Sequence, residues 1–191
     1  MKHLKGEAGY IHDRKKQKFT KAARQLLAML VFAVQSVKQT GIMQIVFIVI
    51  TILCCLPLIQ TIGGLWKVIS QHSISKSRAN DIEEKAKLLT RVYDVVFASQ
   101  KNCVNIDCLV ISKNTVFGYS SKKKIDTEIV SEYIKQHLLA AQLEKITVKV
   151  FDNYTAFLTR AEGLNNIMAI EKADSKDLEL YIKESILQIS L

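Results

Sequence analysis

The chain has 191 residues, of which 49% are hydrophobic and 24% charged, and its mean hydropathy is +0.12. The apolar residues are concentrated in one part of the chain, because from Gln25 to Trp66 the single charged residue is Lys38. The formal net charge of +9 is equally uneven: residues 67–191 hold 18 basic and 16 acidic side chains, a net +2, which argues against a nucleic-acid-binding surface over the whole C-terminal region.

Residues 1–19 are predicted to form a basic cytoplasmic tail. Residues 1–24 together carry a net charge of +6, which is most of the positive charge of the protein. Cations next to an anionic membrane surface contribute about 1 kcal/mol each to binding. The candidate headgroup-binding residues are Arg14, Lys15, Lys16, Lys18 and Lys21.

The segment 42–66 is uncharged and long enough to cross a bilayer core about 30 Å thick at about 1.5 Å per residue. Trp66 and Lys67 at its end are typical of an interfacial membrane anchor. Pro57 and the Gly63–Gly64 pair, which would destabilise a helix in water, are tolerated in a transmembrane helix. We therefore predict a membrane span over about 42–66.

A second apolar segment, 20–37, precedes this span and has two interpretations. Between Arg24 and Lys38 lie thirteen uncharged residues, about 20 Å of helix, which is less than the thickness of the bilayer core. It can still span if Arg24 and Lys38 extend their charges towards the headgroups, which makes 20–69 a transmembrane helical hairpin. The alternative is an amphipathic helix lying on the surface. Residues 26–34 are apolar on all sides, which favours the hairpin.

The number of spans decides the compartment of the C-terminal region. With two spans both termini lie on one side, and the basic tail places that side in the cytoplasm. With one span the C-terminal region is exported. The four cysteines (Cys54, Cys55, Cys103 and Cys108) do not form a disulfide framework, which favours a reducing compartment. We predict a two-span protein of the cell membrane with cytoplasmic N- and C-termini.

After a serine-rich linker at 70–77, residues 78–191 are predicted to form a small cytoplasmic α/β domain with the element order α-β-β-α-β-α-β-α. The fold class is therefore α+β, with a membrane hairpin followed by this domain. The predicted helices are 78–99, 126–141, 153–163 and 175–191. The predicted strands run from Val104 to Ile111, over 116–120, over 145–152 and over 167–172, with a turn at 112–115.

The apolar stripe of the predicted helix 78–99 has two possible partners. It includes Ala79, Ile82, Ala86 and Leu89, at spacings of three and four residues. A short coiled coil would join two copies of the chain through 78–99, whereas a wider stripe packs on the sheet of its own domain. Leu88, Val92 and Val95 widen the stripe, which favours packing on the sheet and leaves the homo-oligomer as the alternative.

The stretch 104–152 resembles the core of the PD-(D/E)xK nuclease superfamily, in which a helix, a strand with an aspartate, a strand ending near a lysine, a helix and a strand follow one another. The resemblance implies a divalent metal held by carboxylates on two neighbouring strands, with a lysine that stabilises developing charge. Asp107 matches the aspartate and Lys122 the lysine. Ser120 stands where the family has its second acid, and the first of the family's three initial strands is not evident. The match therefore implies a degenerate relative.

The layout of the whole chain also resembles a group of small uncharacterised bacterial membrane proteins. The shared features are a basic tail, a short hairpin whose second span carries the motif "CCLP" at Cys54–Pro57, and a cytoplasmic α/β domain. The resemblance implies a location and an architecture, without an activity.

The sequence indicates a membrane-anchored binding or scaffolding protein without a cofactor, and it favours binding over catalysis. The histidines (His3, His12, His72 and His137) are scattered and do not form a metal-binding pattern with the cysteines, and the chain has no glycine-rich phosphate loop. The expected partners are the lipid bilayer and its anionic headgroups. The alternatives are a membrane-tethered nucleic-acid binder of degenerate nuclease fold and a subunit of a larger membrane complex.

Overall fold

The computed structural model describes residues 3–38, 40–69, 71–98, 103–122, 125–171 and 175–190. Within these ranges it contains six helices and one four-stranded sheet. The helices are α1 (Tyr10–Lys38), α2 (Ile42–Ile69), α3 (Lys76–Lys85), α4 (Thr127–Ala140), α5 (Tyr154–Glu171) and α6 (Lys176–Ile189). The strands are β1 (Thr90–Ala98), β2 (Cys103–Ser112), β3 (Thr115–Tyr119) and β4 (Thr147–Phe151).

The chain divides into two compact units, and the N-terminal residues belong to the unit that also contains the C-terminus. One unit joins the chain up to Tyr10 with the chain from His72 onward, and the other is Ile11–Gln71. We call them the α/β unit and the helical unit. Residues 3–9, predicted as part of a free tail, are therefore a structural part of the α/β unit.

In the helical unit α1 and α2 lie side by side and antiparallel. Near the start of α1, the Nζ of Lys18 donates a hydrogen bond to the carbonyl of Gly64 near the end of α2, at 3.0 Å. Further along, the Sγ of Cys55 lies 3.7 Å from the Sδ of Met29. Among the described residues, one helical stretch is long and apolar enough to cross a membrane by length and composition, Ile42–Trp66 of α2. The predicted second span is thus supported, whereas α1 does not meet the same test.

The α/β unit is a three-layer sandwich whose sheet has the strand order β1-β2-β3-β4. β1, β2 and β3 are antiparallel neighbours, and β4 is parallel to β3. One face of the sheet packs against α4 and α6 through residues such as Leu109, Ile134 and Ile186, and the other packs against α3 and α5 through Ile82 and Phe157. Each of these five side chains is 0% exposed, so both faces of the sheet contribute to a buried core.

Several local predictions are confirmed. The strands on either side of the turn at 112–115 pair as an antiparallel hairpin, and β4 lies within the predicted strand 145–152. The carboxylate of Asp126 accepts a hydrogen bond from the backbone N–H of Ile129 at 3.1 Å, so it caps α4 as predicted. Asn153 caps α5 in the same way, through the N–H of Ala156 at 3.2 Å.

The predicted helix 78–99 is wrong, because this stretch holds both α3 and β1. Ser75 caps α3, so the predicted linker 70–77 ends earlier than expected. Val92, Val95 and Phe97 are at most 2% exposed, and they belong to a strand that is buried on both faces. An apolar run of this kind satisfies helical spacing and strand spacing alike, which is why the pattern misled. Ala79 and Ile82, the stripe residues on α3, pack between α3, α5 and the sheet of the same chain.

The predicted strand 167–172 is also wrong. α5 continues through Gly163 as far as Glu171, because Phe157, Ala161, Leu164 and Met168 keep one helical face against the sheet. Ile170 lies on the opposite face and is 82% exposed. The observed element order of the domain is α-β-β-β-α-β-α-α, in place of the predicted α-β-β-α-β-α-β-α.

Candidate functional site

Asp94 joins the two chain segments that flank the helical unit. Its carboxylate accepts hydrogen bonds from the N–H of Gly9 at 2.9 Å, the hydroxyl of Ser73 at 2.6 Å and the N–H of Ile74 at 3.0 Å. Gly9 immediately precedes α1, and Ser73 and Ile74 follow α2. We call Asp94 with these three donors the clasp.

The backbone of Asp94 is adapted to this role. Asp94 is 3% exposed and has φ +54°, a left-handed conformation that aspartate and asparagine adopt more readily than most residues. β1 pairs with β2 through Tyr93–Cys108 and Val95–Ile106, and the ladder is interrupted at Asp94 between them without a change of register. The side chains of Val92 and Val95 therefore enter the same core although they are three positions apart. The irregular residue turns its carboxylate towards the two flanking segments.

Further hydrogen bonds hold the same segments to the α/β unit. The N–H of Tyr93 donates to the carbonyl of Gly6 at 2.7 Å, so the N-terminal segment covers part of the free edge of β1. The side-chain amide of Asn105 donates to the carbonyl of His72. The Nζ of Lys5 donates to the carbonyls of Leu187 and Ser190, at 2.8 and 2.7 Å, at the end of α6. Both segments are thus attached at several points.

Asp107, singled out by the sequence, lies opposite the break in β1 and is 2% exposed. Its carboxylate accepts hydrogen bonds from the side-chain amide of Asn105 at 3.1 Å and the N–H of Ser121 at 3.0 Å. Burial raises the pKa of Asp107, and the negative charge of Asp94 raises it further. The hydrogen bonds from Ser121 and the positive charge of Arg78 lower the pKa but do not cancel the rise. Asp107 is therefore a buried carboxyl of the sheet.

The raised pKa of Asp107 predicts a pH dependence of stability. An acid whose pKa is higher in the folded chain binds more protons there, so stability falls as pH rises from about 4, the ordinary value for aspartate, through the folded pKa. We expect the wild type to gain stability relative to D107N as pH is lowered from 7 towards 4. Urea unfolding of both full-length chains in detergent micelles at several pH values measures this, and parallel curves would contradict it.

Of the residues matched to the nuclease pattern, Asp107 lies in β2, and Ser120 and Lys122 follow the end of β3. Because Cys108 pairs with Tyr119, the register continues to place Ser120 opposite Asp107. The hydroxyl of Ser120 donates to the carbonyl of Asn105 at 2.6 Å, and Lys122, two residues on, is exposed. Among the described residues, no group of three or more His, Cys, Asp or Glu side chains is placed to hold a metal ion.

Arg78 lies between two tyrosine rings beside this region. Its Nη1 donates to the hydroxyl of Tyr119 at 2.9 Å, and its guanidinium carbon is 5.1 Å from the centre of the Tyr154 ring. Burial raises the pKa of Tyr119. Burial, and to a smaller extent the nearby Asp81, raises the pKa of Tyr154 to about 12. Both rings therefore stay neutral at physiological pH, and Arg78 joins α3 to β3 and α5.

The basic residues proposed to bind headgroups have different environments in the helical unit. Lys15 and Lys18 are partly buried, and Lys15 donates hydrogen bonds to the carbonyls of Ile69 and Gln71 at 2.9 and 2.5 Å. These carbonyls lie at the C-terminal end of α2, the negative end of its dipole. Lys16 and Lys21 are exposed, and Arg14 is partly exposed. The structure thus places Lys15 as a cap at the end of α2 and Lys18 against a carbonyl within α2.

Three of the proposed membrane anchors have described side chains, which lie near the end of α2 and at the middle and the end of α1. Trp66 is 78% exposed near the end of α2, and Arg24 and Lys38 are exposed on α1. The side chain of Lys67 lies outside the described residues.

Glu179 is a buried carboxylate that the sequence analysis missed. It is 1% exposed and accepts hydrogen bonds from the hydroxyls of Thr90 and Ser175, at 2.7 and 2.9 Å, and from the N–H of Lys113 at 3.1 Å. It joins α6 to the start of β1 and to the β2–β3 turn. The sequence around it reads as an ordinary charged helix, and it gave no signal of burial.

None of the protein-family models, curated proteins or solved structures compared with this chain matches it. Function is therefore inferred from the clasp, the α1–α2 pair and the buried carboxylates.

Proposed function

We propose that the protein is a membrane-anchored binding or scaffolding protein whose α1–α2 pair crosses the cell membrane twice, with both termini in the cytoplasm. The observation that carries this proposal is the clasp, because Asp94 holds the residue before α1 and the residues after α2 in one folded unit. A folded unit lies on one side of a membrane. If α2 crosses the bilayer, the chain must therefore cross it an even number of times.

The geometry of α1 supports its role as the other span. α1 lies antiparallel to α2, and its exposed apolar side chains, such as Leu27, Leu30 and Val34, need an apolar environment. Its uncharged stretch is shorter than the bilayer core, and the exposed Arg24 and Lys38 at its two ends have stems long enough to reach the headgroups. The basic residues before Arg24 favour a cytoplasmic start.

The buried carboxylates support binding or scaffolding in preference to catalysis. Asp94 accepts from the flanking segments, Asp107 accepts from Asn105 and Ser121, and Glu179 accepts from three donors. These acids hold chain segments together, and each is at most 3% exposed. Tethering such a unit to the membrane raises its effective concentration towards other membrane components.

The two-span topology is tested by labelling introduced cysteines in intact cells. We expect a membrane-impermeant maleimide to label T40C, between the two helices, and to label S77C only after the cells are permeabilised. Ser77 is exposed and is not the cap of α3, so its replacement leaves the fold intact. The chain without an added cysteine gives the background from the native thiols. Labelling of S77C with protection of T40C would contradict the proposal, because it places the C-terminal region outside the cell, and protection of both would show that the pair does not cross.

A second candidate function is a membrane-tethered nucleic-acid binder of degenerate nuclease fold. The observation in its favour is the placement of Asp107 opposite Ser120 in a sheet whose first strand, β1, completes the order helix, three strands, helix, strand. The serine at the acid position and the net +2 of residues 67–191 favour scaffolding instead. This candidate requires that the full-length chain in detergent retains DNA, with binding that weakens steeply as salt rises.

A further inference from the structure

Two sulfur-containing side chains meet where α1 packs against α2, and a third is next to them in the chain. The Sγ of Cys55 on α2 lies 3.7 Å from the Sδ of Met29 on α1, and Cys54 immediately precedes Cys55. We propose that Met29, Cys54 and Cys55 bind a soft monovalent metal ion, of the class of Cu(I), between the two helices. The site lies within the helical unit, so it does not depend on whether the pair crosses a membrane.

Both cysteines belong to the side of α2 that faces α1. Cys55 touches Met29, so the partly buried side of α2 is the side against α1. The residues of this side recur at spacings of three and four positions, and they include Phe47, Thr51, Cys54, Cys55 and Leu58. Successive residues are about 100° apart around a helix, so Cys54 lies on one flank of this side and Cys55 on the other. Both thiols are therefore partly covered by α1.

The separation of the two sulfur atoms in contact suits a shared metal ion. Sulfur ligands about 2.3 Å from one ion, with angles of about 110–120° between them, are about 3.8–4.0 Å apart. The observed 3.7 Å between the Sγ of Cys55 and the Sδ of Met29 is within about 0.3 Å of this range. Small side-chain rotations are therefore sufficient for both sulfur atoms to bind the same ion.

The available donors select a soft ion. From Gln25 to Trp66 the chain contains no His, Asp or Glu, so this stretch offers neither imidazole nor carboxylate to Zn²⁺ or Mg²⁺. Thiolate and thioether sulfur atoms are ligands that select Cu(I). Two thiolates and one thioether give the ion three sulfur ligands, two from α2 and one from α1. No local pattern marks this set, because Met29 and Cys55 are 26 residues apart.

Binding of the ion releases protons and transfers no electron. The thiol of Cys55 donates a hydrogen bond to the carbonyl of Thr51 at 3.4 Å. A thiol that binds a metal ion loses its proton, so Cys54 and Cys55 each give one proton to water as Cu(I) enters. The ion compensates one of the two thiolate charges, and the loaded site carries one negative charge. Because protons are released, binding becomes stronger as pH rises.

Pro57 allows the turn that carries the cysteines to adjust. Proline has no N–H, so Pro57 cannot donate to the carbonyl of Leu53, which lies directly before Cys54. This turn of α2 therefore lacks one helical hydrogen bond, and a small rotation that brings both thiolates onto an ion is less costly there. An ion bound by both helices holds α1 and α2 together, so binding stabilises the pair.

The test titrates the full-length chain in detergent micelles with Cu(I), supplied anaerobically as its coloured complex with bathocuproine disulfonate. All chains carry C103S, which removes a thiol of β2 outside the helical unit, and Cys108 is 0% exposed. We expect each C103S chain to withdraw a single Cu(I) from the complex, and to compete for it better at higher pH. X-ray absorption of the loaded chain should show sulfur neighbours only.

Substitutions that conserve side-chain size identify the ligands. We expect C54S and C55S to withdraw no Cu(I), because a hydroxyl is a poor ligand for a soft ion. M29L should bind roughly ten- to hundred-fold more weakly, a loss typical of removing a supporting group from a metal site. M43L is the matched control, because Met43 is exposed near the start of α2, and it should bind like the parent C103S chain.

The outcomes separate this site from the membrane topology. A C103S chain that withdraws no Cu(I), or one whose ion has nitrogen or oxygen neighbours, would overturn the site. Equal affinities of M29L and M43L would overturn the bridge between the helices. Uptake by C54S or C55S at the level of the parent chain would overturn the role of that thiol. The two-span topology is tested separately, by the maleimide labelling of T40C and S77C.

Discussion

Replacing Asp94 by alanine is expected to lower the free energy of unfolding of the α/β unit by about 3–5 kcal/mol. The substitution leaves the N–H groups of Gly9 and Ile74 and the hydroxyl of Ser73 without their acceptor. It also leaves a Cβ-bearing residue at φ +54° without the polar contacts that compensate for this conformation. Hydrogen exchange of β2 and β3 in the full-length chain in detergent micelles measures the loss.

Two variants separate the hydrogen bonds of Asp94 from its backbone conformation. D94N tolerates the left-handed backbone and keeps one acceptor oxygen, so we expect a smaller loss than for D94A. D126A removes an aspartate that also accepts from a backbone N–H but caps an exposed helix end, and it should lower stability by only about 1 kcal/mol. If D94A were no more destabilising than D126A, the clasp would not hold the flanking segments.

Replacing Glu179 by alanine is expected to destabilise the α/β unit by about 2–4 kcal/mol. The loss arises because the hydroxyls of Thr90 and Ser175 and the N–H of Lys113 lose a shared acceptor in the interior. Lys113 also has φ +49° in the β2–β3 turn, so the turn loses one of the contacts that fix it. Urea unfolding of the full-length chain in detergent, followed by circular dichroism, measures the change.

The control for Glu179 is the exposed Glu184 on the same helix. E184A removes the same charge from α6 without removing a buried acceptor, so we expect a change within about 0.5 kcal/mol. Equal losses for E179A and E184A would show that the effect comes from helix propensity or net charge, and would contradict the role of Glu179 as a buried acceptor.

The features that the sequence revealed are those in which the responsible residues are neighbours in the chain. Asp126 caps α4 through the N–H three residues later, and the β2–β3 hairpin closes over a turn of four residues at 112–115. The apolar stretch of α2 is likewise continuous. Each signal acts over a short distance, so a single sequence is sufficient to read it.

The features that it did not reveal depend on contacts between distant residues. β1 was read as helix, because a strand buried on both faces has no alternation to distinguish it. The clasp joins Gly9 to Asp94 across 85 residues, and no local pattern marks either position. Asp107 was recognised as unusual, but its burial depends on Asn105 and on the return of Ser121 from the neighbouring strand. The sequence therefore singled out Asp107 for a nuclease resemblance and did not reveal Asp94, the central residue of the clasp.

The hydrogen bonds from Lys5 to the carbonyls of Leu187 and Ser190 constrain when the N-terminal segment can dock during synthesis. Residues 3–9 are made before β1 and α6, the two elements on which they dock. The contacts of Gly6 with Tyr93 and of Gly9 with Asp94 need β1 alone, whereas the contacts of Lys5 need the end of α6 as well. Docking of the N-terminal segment can therefore proceed in two stages, at β1 and then at α6.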